Sequence, residues 1–185
     1  MKNSKFIFAR VRHMQFQIRR AAQGDAGVLA FIQTESWKAA FQNILAAGDL
    51  ERLTSLDRAA AMYSRLLDEN RGNGYIGELD GKPHSIAYWD KARDAEMAQY
   101  AEIICIHSLP AHWRMGFGSL MMDRLLADIS KAGFHSVMLW VFTENVRARK
   151  FYEAKGFSAT DRVKPAFGTT ELCYVKDTGG AAQRT

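Results

Sequence analysis

The run at residues 110–126, PAHWRMGFGSLMMDRLL, constrains this chain more than any other part of it. A strand-like apolar stretch, Ile103 to His107, leads in. A short glycine turn, Gly116-Phe117-Gly118, then opens directly into a helix with Met121, Met122, Leu125, Leu126 and Ile129 on one face. A glycine turn at a helix start leaves backbone N–H groups without partners. Those donors and the positive end of the helix dipole together favour an anion, phosphate above all. The same residues also fit a plain turn ahead of a core helix.

Spacing separates the kinds of phosphate loop. A dinucleotide turn, G-x-G-x-x-G, needs glycine at position 121, where Met121 stands. A P-loop needs Gly-Lys-Ser/Thr, but Gly118 is followed by Ser119 and Leu120. What remains is Trp113-Arg114-Met115-Gly116-Phe117-Gly118, in which a large side chain precedes a G-x-G turn. Further on, the chain reads Asn145-Val146-Arg147-Ala148-Arg149-Lys150-Phe151-Tyr152-Glu153-Ala154-Lys155-Gly156-Phe157. Locally this is a short helix capped by Asn145, with Ala148, Phe151, Tyr152 and Lys155 along one face and Gly156 as its left-handed stop.

Together these segments resemble the GCN5-related N-acetyltransferase (GNAT) superfamily, in the manner of its bacterial small-molecule members. The first is similar to the family's Q/R-x-x-G-x-G/A loop, with Trp113 where Gln or Arg is usual. The second is similar to N-x-x-A-x-x-F-Y-x-x-x-G-F. Glu102, fourteen residues before Gly116, stands at the spacing of a catalytic glutamate in the histone-acetylating branch, and 35–41, ESWKAAF, resembles a run in bacterial members. The resemblance implies an α/β fold: a mixed central sheet of six to seven strands, helices on both faces, and central strands that splay, usually through a bulge. It implies acetyl-CoA as cosubstrate, with the pantetheine arm on backbone groups of Ile106, His107 and Ser108; Ser108 replaces a usual aliphatic residue. The pyrophosphate would lie on Trp113, Arg114, Met115, Gly116, Phe117, Gly118 and Ser119. Asn145 would meet the pantetheine amides, and Arg149 or Lys150 the 3′-phosphate. Tyr152 would protonate the leaving sulfur and Glu102 would act as base through water; the same positions also suit core packing and a solvated strand carboxylate. The N–H of Ser108 or its neighbour would steady the oxyanion.

The implied activity is transfer of the acetyl group of acetyl-CoA to a primary amine of a small molecule or peptide, by direct attack in a ternary complex. Acetylation of a protein N-terminus or lysine, and a non-catalytic acyl-CoA-binding regulatory module, are the alternatives. A homodimer is among the partners the resemblance implies. An acceptor pocket lined by Trp37, Phe41 and Trp89 would favour a small amine over a peptide.

Composition adds limits. The 185 residues suit one domain, here 15–177, between a basic extension at 1–14 and a flexible tail at 178–185. The first twenty residues carry six Lys or Arg and no acid, so of the net +5 the remainder holds −1. A near-neutral body is not the footprint of a nucleic-acid binder. No apolar run approaches the ~20 residues of a membrane span. Cys105 and Cys173 have neither disulfide nor zinc spacing, which points to reduced thiols and a cytoplasmic setting. No metal is expected.

Periodicity places strands at 16–20, 75–79, 84–89, 99–107, 137–142, 159–163 and 171–175. Asp25 marks a helix start ahead of Val28, Leu29, Ile32 and Trp37, and further helices cover 56–67, 116–131 and the Tyr152 segment. Asp80-Gly81 predicts a hairpin, and the last two strands are joined by a loop holding Pro165 and Gly168. The expected order is β-α-α-β-β-β-α-β-α-β-β.

Overall fold

Seven strands form one mixed sheet in the computed structural model, which describes residues 14–179. The strands are β1 (Phe16–Arg20), β2 (Asn73–Leu79), β3 (Lys82–Lys91), β4 (Ala101–Ser108), β5 (Ser136–Phe142), β6 (Ser158–Ala166) and β7 (Thr169–Asp177), in spatial order β1-β2-β3-β4-β5-β7-β6. The helices are α1 (Ala26–Phe41), α2 (Ala47–Leu53), α3 (Leu56–Asp68), α4 (Phe117–Lys131) and α5 (Val146–Ala154). The extension at 1–14, Met14 aside, and the tail beyond Gly179 lie outside the described residues.

Side-chain alternation distributes the core between the two faces. On one, Met121, Met122, Leu125 and Ile129 of α4 and Tyr152 of α5 pack on Trp89, Ile103, Leu139 and Tyr174. On the other, Leu29 and Ile32 of α1 and Ala59 and Tyr63 of α3 pack on Ile76, Ile86 and Tyr88. The helices thus cover both faces, as expected of an α/β sheet.

The sheet is continuous except at its centre. β4 and β5 run parallel and pair only through Ala101–Val137, Glu102–Met138 and Ile103–Leu139. Beyond those rungs the strands part. On the other side of β4, Tyr88 faces Cys105 but Trp89 faces Ile103, so Ile104 is an extra residue, a β-bulge. The bulge resets the alternation. Ile103 and Ile106 both join the α4–α5 core, while Cys105 turns to the α1–α3 core.

Two elements differ from the sequence expectation. α2 adds a helix between α1 and α3; seven residues with no buried side chain and no side-chain cap give too little period to read. Pro165 lies within β6 rather than in a loop, opposite Thr170. β6 is the outermost strand, where a residue without an N–H costs no ladder bond.

Candidate active site: a cleft between the parted strands

The glycine turn is held by the residue between its glycines. Phe117 is buried against the Phe16 ring, centroids 4.9 Å apart, and the His84 ring at 5.7 Å. Burying such a side chain contributes about 2 kcal/mol and turns the flanking glycines outward. Gly116 caps α4 at φ 93°, in the left-handed region that favours glycine, and a Cβ there would meet nothing within 4 Å. Arg114 also has positive φ, at 67°. No side chain caps α4. Among the described residues the N–H groups of Gly116, Phe117 and Gly118 have no backbone acceptor, whereas that of Ser119 already donates to the Gly116 carbonyl at 3.0 Å. The anion cradle of the sequence reading therefore ends at Gly118, and Ser119 contributes no free N–H to it.

From this turn a cleft of about 1250 Å³ runs between β4 and β5 to the far face of the sheet. A pocket built for one small molecule holds roughly 300–1,000 Å³, so there is room for two reactants. One wall is the open edge of β4. The N–H of Leu109 donates to the His84 carbonyl on β3 at 3.0 Å. Because backbone groups alternate sides along a strand, those of Ile106 and Ser108 face the gap and those of His107 face β3.

Tyr152 projects from α5 into the cleft and is 8% exposed. Burial, with the Cys105 thiol nearby, raises its phenol above the ordinary value, so it keeps its proton. Its hydroxyl has no hydrogen-bond partner among the described residues. Asn145 lines the cleft and caps α5, its Oδ1 accepting from the Ala148 N–H at 3.2 Å. That leaves its amide nitrogen as the group free to meet a ligand.

Several expected residues sit elsewhere. Arg149 does not line the cleft: its guanidinium donates to the Tyr174 hydroxyl at 3.1 Å and the Thr143 carbonyl at 3.0 Å. Arg147, which sequence reasoning passed over, lines it in its place, with Lys150. The Arg147 guanidinium lies 3.4 Å from the Trp113 ring centroid, and Trp113 Nε1 donates to the Ser108 carbonyl at 2.9 Å. The Trp at the usual Gln/Arg position thus docks on β4 and carries a stacked cation from α5. The signal was there to read: helical spacing puts Arg147 and Phe151 on one side of α5. Met115 also falls outside the cleft lining, although its loop neighbours line it.

Glu102 is neither a solvated carboxylate nor a free one. Its carboxylate is buried and accepts from Arg93 through the backbone N–H at 3.0 Å, Nε at 3.0 Å and Nη2. Burial pushes the carboxyl up, but the Arg93 bonds and charge outweigh it and hold it below the usual range. A carboxylate so committed is a poor proton acceptor, and Glu102 is not among the cleft-lining residues.

The far end of the cleft is aromatic. Trp37, Phe41 and Phe142 meet edge to face, with centroids 4.9–6.5 Å apart. His107 Nε2 accepts from Trp37 Nε1 at 3.1 Å, and burial lowers the imidazole pKa to about 4, so it stays neutral. Trp89 is absent from this wall. It lies in the opposite core, its Nε1 on the Tyr75 hydroxyl at 3.3 Å, and Tyr88 takes the position expected of it. One residue along a strand is one face of a sheet. The Cys105 and Cys173 thiols are free, and burial pushes Cys105 up to about 12. Among the described residues no three His, Cys, Asp or Glu are placed to hold a metal ion, and no helix is long and apolar enough to cross a membrane.

Comparison with known proteins bears on this geometry. The family profile described as Acetyltransferase (GNAT) family matches residues 36–157. PaiA N-acetyltransferase from Thermoplasma acidophilum, solved in complex with coenzyme A, is 17% identical, with a TM-score of 0.73 over 88% of this chain and 99% of that one. YncA from Salmonella typhimurium, solved with its cofactor acetyl-CoA, is 18% identical, with a TM-score of 0.67 over 92% and 98%. The ribosomal-protein-S18-alanine N-acetyltransferase from Escherichia coli is 16% identical, with a TM-score of 0.67 over 92% and 99%. The profile match takes in most of the chain, including the bulged strand, the glycine turn and the Tyr152 helix, and so the chain belongs to the GNAT acetyltransferase family.

Proposed function

We propose that this protein transfers the acetyl group of acetyl-CoA to a primary amine by direct attack within a ternary complex. One observation carries the reading. The cradle of unpaired N–H groups at Gly116–Gly118 opens onto a gap lined by the strand-edge groups of Ile106 and the N–H of Ser108, whose carbonyl Trp113 already holds, and that gap leads to the Tyr152 hydroxyl. A phosphate-bearing carrier with an extended amide arm fits that order of groups. The structures solved with coenzyme A and acetyl-CoA support it by likeness of fold.

With the pyrophosphate on 114–118, the arm runs along β4 toward the closed end of the gap at Ile103 and Leu139. Arg147 and Lys150 face the phosphates, and Asn145 the arm. Of the two N–H groups facing the gap, that of Ile106 lies nearer the closed end and is the better placed oxyanion donor; Ser108 N–H serves the arm. A neutral amine attacks the thioester carbon, its extra proton leaving to water. The C–N bond forms and the C–S bond breaks. The thiolate takes the Tyr152 proton, which solvent then restores. Glu102 enters as a positioning residue that fixes Arg93 at the cleft mouth.

A second reading, acetylation of a protein N-terminus, draws on likeness to the ribosomal-protein-S18-alanine enzyme. The test of both is calorimetry with acetyl-CoA, followed by thiol release against amines and a peptide with a free N-terminus. Binding with turnover is expected; absence of any acetyl-CoA binding overturns the proposal, and turnover of the peptide alone selects the second reading.

A further inference from the structure

The charged side chains lining the cleft divide into two sets. Toward the glycine turn stand Arg114, Arg147 and Lys150, none with a carboxylate within 4.0 Å among the described residues. At the other end stand Arg71, Arg93, Glu171 and Asp90. Three of these are paired: Arg71 with Glu69 at 3.4 Å, Arg93 with Glu102, and Glu171 with Lys164 at 3.3 Å. Asp90 has no cationic partner among the described residues. Its Oδ1 accepts the N–H of the next residue, Lys91, at 2.8 Å, and does nothing further within the fold.

The place of Asp90 in the sheet gives that charge meaning. Asp90 on β3 lies directly opposite Glu102 on β4, beside the Ile104 bulge where the sheet begins to open. Two carboxylates across a strand pair repel each other. Arg93 cancels Glu102, and Lys164 cancels Glu171, so Asp90 is left as the one uncancelled charge at this end among the described residues. The same side of the cleft is otherwise apolar and aromatic, with Tyr88, Tyr63, Met62, Trp37 and Phe41 in its lining.

We propose that Asp90 binds the ammonium group of the acceptor, and that the acceptor is an amine with an apolar or aromatic body and no carboxylate beside the nitrogen. The inference rests on the acetyltransferase reading and names the substrate class for it. An acceptor carboxylate would face Asp90 and Glu171, and each of the two nearby guanidinium groups already has a carboxylate partner in the fold. Asp90 holds the amine as it arrives, charged. The bound ammonium gives one proton to water, the neutral nitrogen forms the C–N bond and sheds its extra proton to water as the C–S bond breaks, and coenzyme A departs as the thiol with the proton of Tyr152, which solvent restores.

The test uses 2-phenylethylamine and tryptamine against phenylalanine and tryptophan, matched pairs that differ only by the carboxylate. Calorimetry with acetyl-CoA comes first, and failure there is failure of the acetyltransferase reading. Given acetyl-CoA binding, the wild type should acetylate the simple amines with kcat/KM about 10-fold or more above the amino acids, as expected for one charge-assisted contact. Asp90→Asn should raise the amine KM about 10-fold at neutral pH, with little change in kcat or in acetyl-CoA affinity. That penalty should shrink above pH ~10, where the free amine is neutral and no longer needs a counter-ion. Asp90→Glu should recover part of the affinity. The inference is overturned if the protein binds acetyl-CoA but leaves the simple amines unacetylated, if it prefers the amino acids, or if the Asp90→Asn penalty is missing or indifferent to pH.

Discussion

The turn end and the acceptor end of the cleft handle charge in opposite ways. At the turn, donors and cations stand unpaired: three backbone N–H groups, with Arg114, Arg147 and Lys150 around them. At the acceptor end almost every charge is cancelled across the sheet, Arg93 by Glu102 and Glu171 by Lys164. The first arrangement suits a ligand of high negative charge whose identity never changes. The second suits a small, selective site in which one residual charge decides what enters. The contrast also separates two origins. The turn end is built within short stretches of chain, from a glycine turn and two helix starts. The acceptor end gathers residues of β3, β4, β6 and β7, the β3–β4 connection and the helices α1 and α3, which meet only through strand pairing and packing on the sheet.

The contrast can be broken most forcefully at Gly116. Gly116→Asp places a negative charge, and a side chain in the left-handed region, where the phosphates would lie. Repulsion of about 4 kcal/mol at 4 Å and an effective dielectric of ~20 corresponds to roughly 10³-fold weaker acetyl-CoA binding, read by calorimetry. A Cβ there meets nothing within 4 Å, so the cost to the fold is the left-handed strain alone, about 1–2 kcal/mol, and the circular dichroism should still match the wild type. Between the two ends stands Tyr152. Tyr152→Phe should lower kcat about 10²-fold while acetyl-CoA affinity holds, and an unchanged kcat removes the phenol from proton transfer.

Smaller effects sharpen the comparison. Arg147→Ala should weaken acetyl-CoA binding about 10-fold, with a shallower salt dependence; Trp113→Ala should reproduce the loss by releasing the stacked guanidinium. Equal binding by wild type and both variants would show that the stacked pair plays no part at the turn end. Smallest is Glu102→Gln. Arg93 is largely exposed but the Glu102 carboxylate is buried, so losing the charge should cost about 1–3 kcal/mol of stability, while kcat should change little. The Glu102 carboxyl is held below its ordinary value of 4.5 in the fold. Its contribution is therefore present above that value and lost as pH falls through the lower folded one. Thermal unfolding of Glu102→Gln should show a weaker acid-side decline than wild type. A large fall in kcat would instead return Glu102 to the chemistry.

What could be read from the chain beforehand follows the same division. Gly116, Phe117, Gly118, Asn145 and Tyr152 belong to local motifs whose spacing fixes a turn, a cap and a helix face, and the structure brings them to one cleft. All seven strands were legible from alternation, with ends off by a few residues. Arg149 and Arg147 were exchanged because both carry the right charge, and half a turn of helix decides which faces the gap. Trp89 and Tyr88 were exchanged because adjacent strand residues face opposite ways, and only the pairing says which way is out. Glu102 was legible as a strand acid but not as the partner of Arg93, nine residues away in the β3–β4 connection.

By itself, the sequence determined the order of the strands and of every helix but α2, the glycine turn and its unpaired donors, since these rest on backbone freedom and short-range periodicity. Tertiary structure alone decided the bulge at Ile104, the parting of β4 from β5 and the fate of each buried charge. Those depend on which strands lie side by side and in what register, and a carboxylate's chemistry is set by the partner the fold places against it.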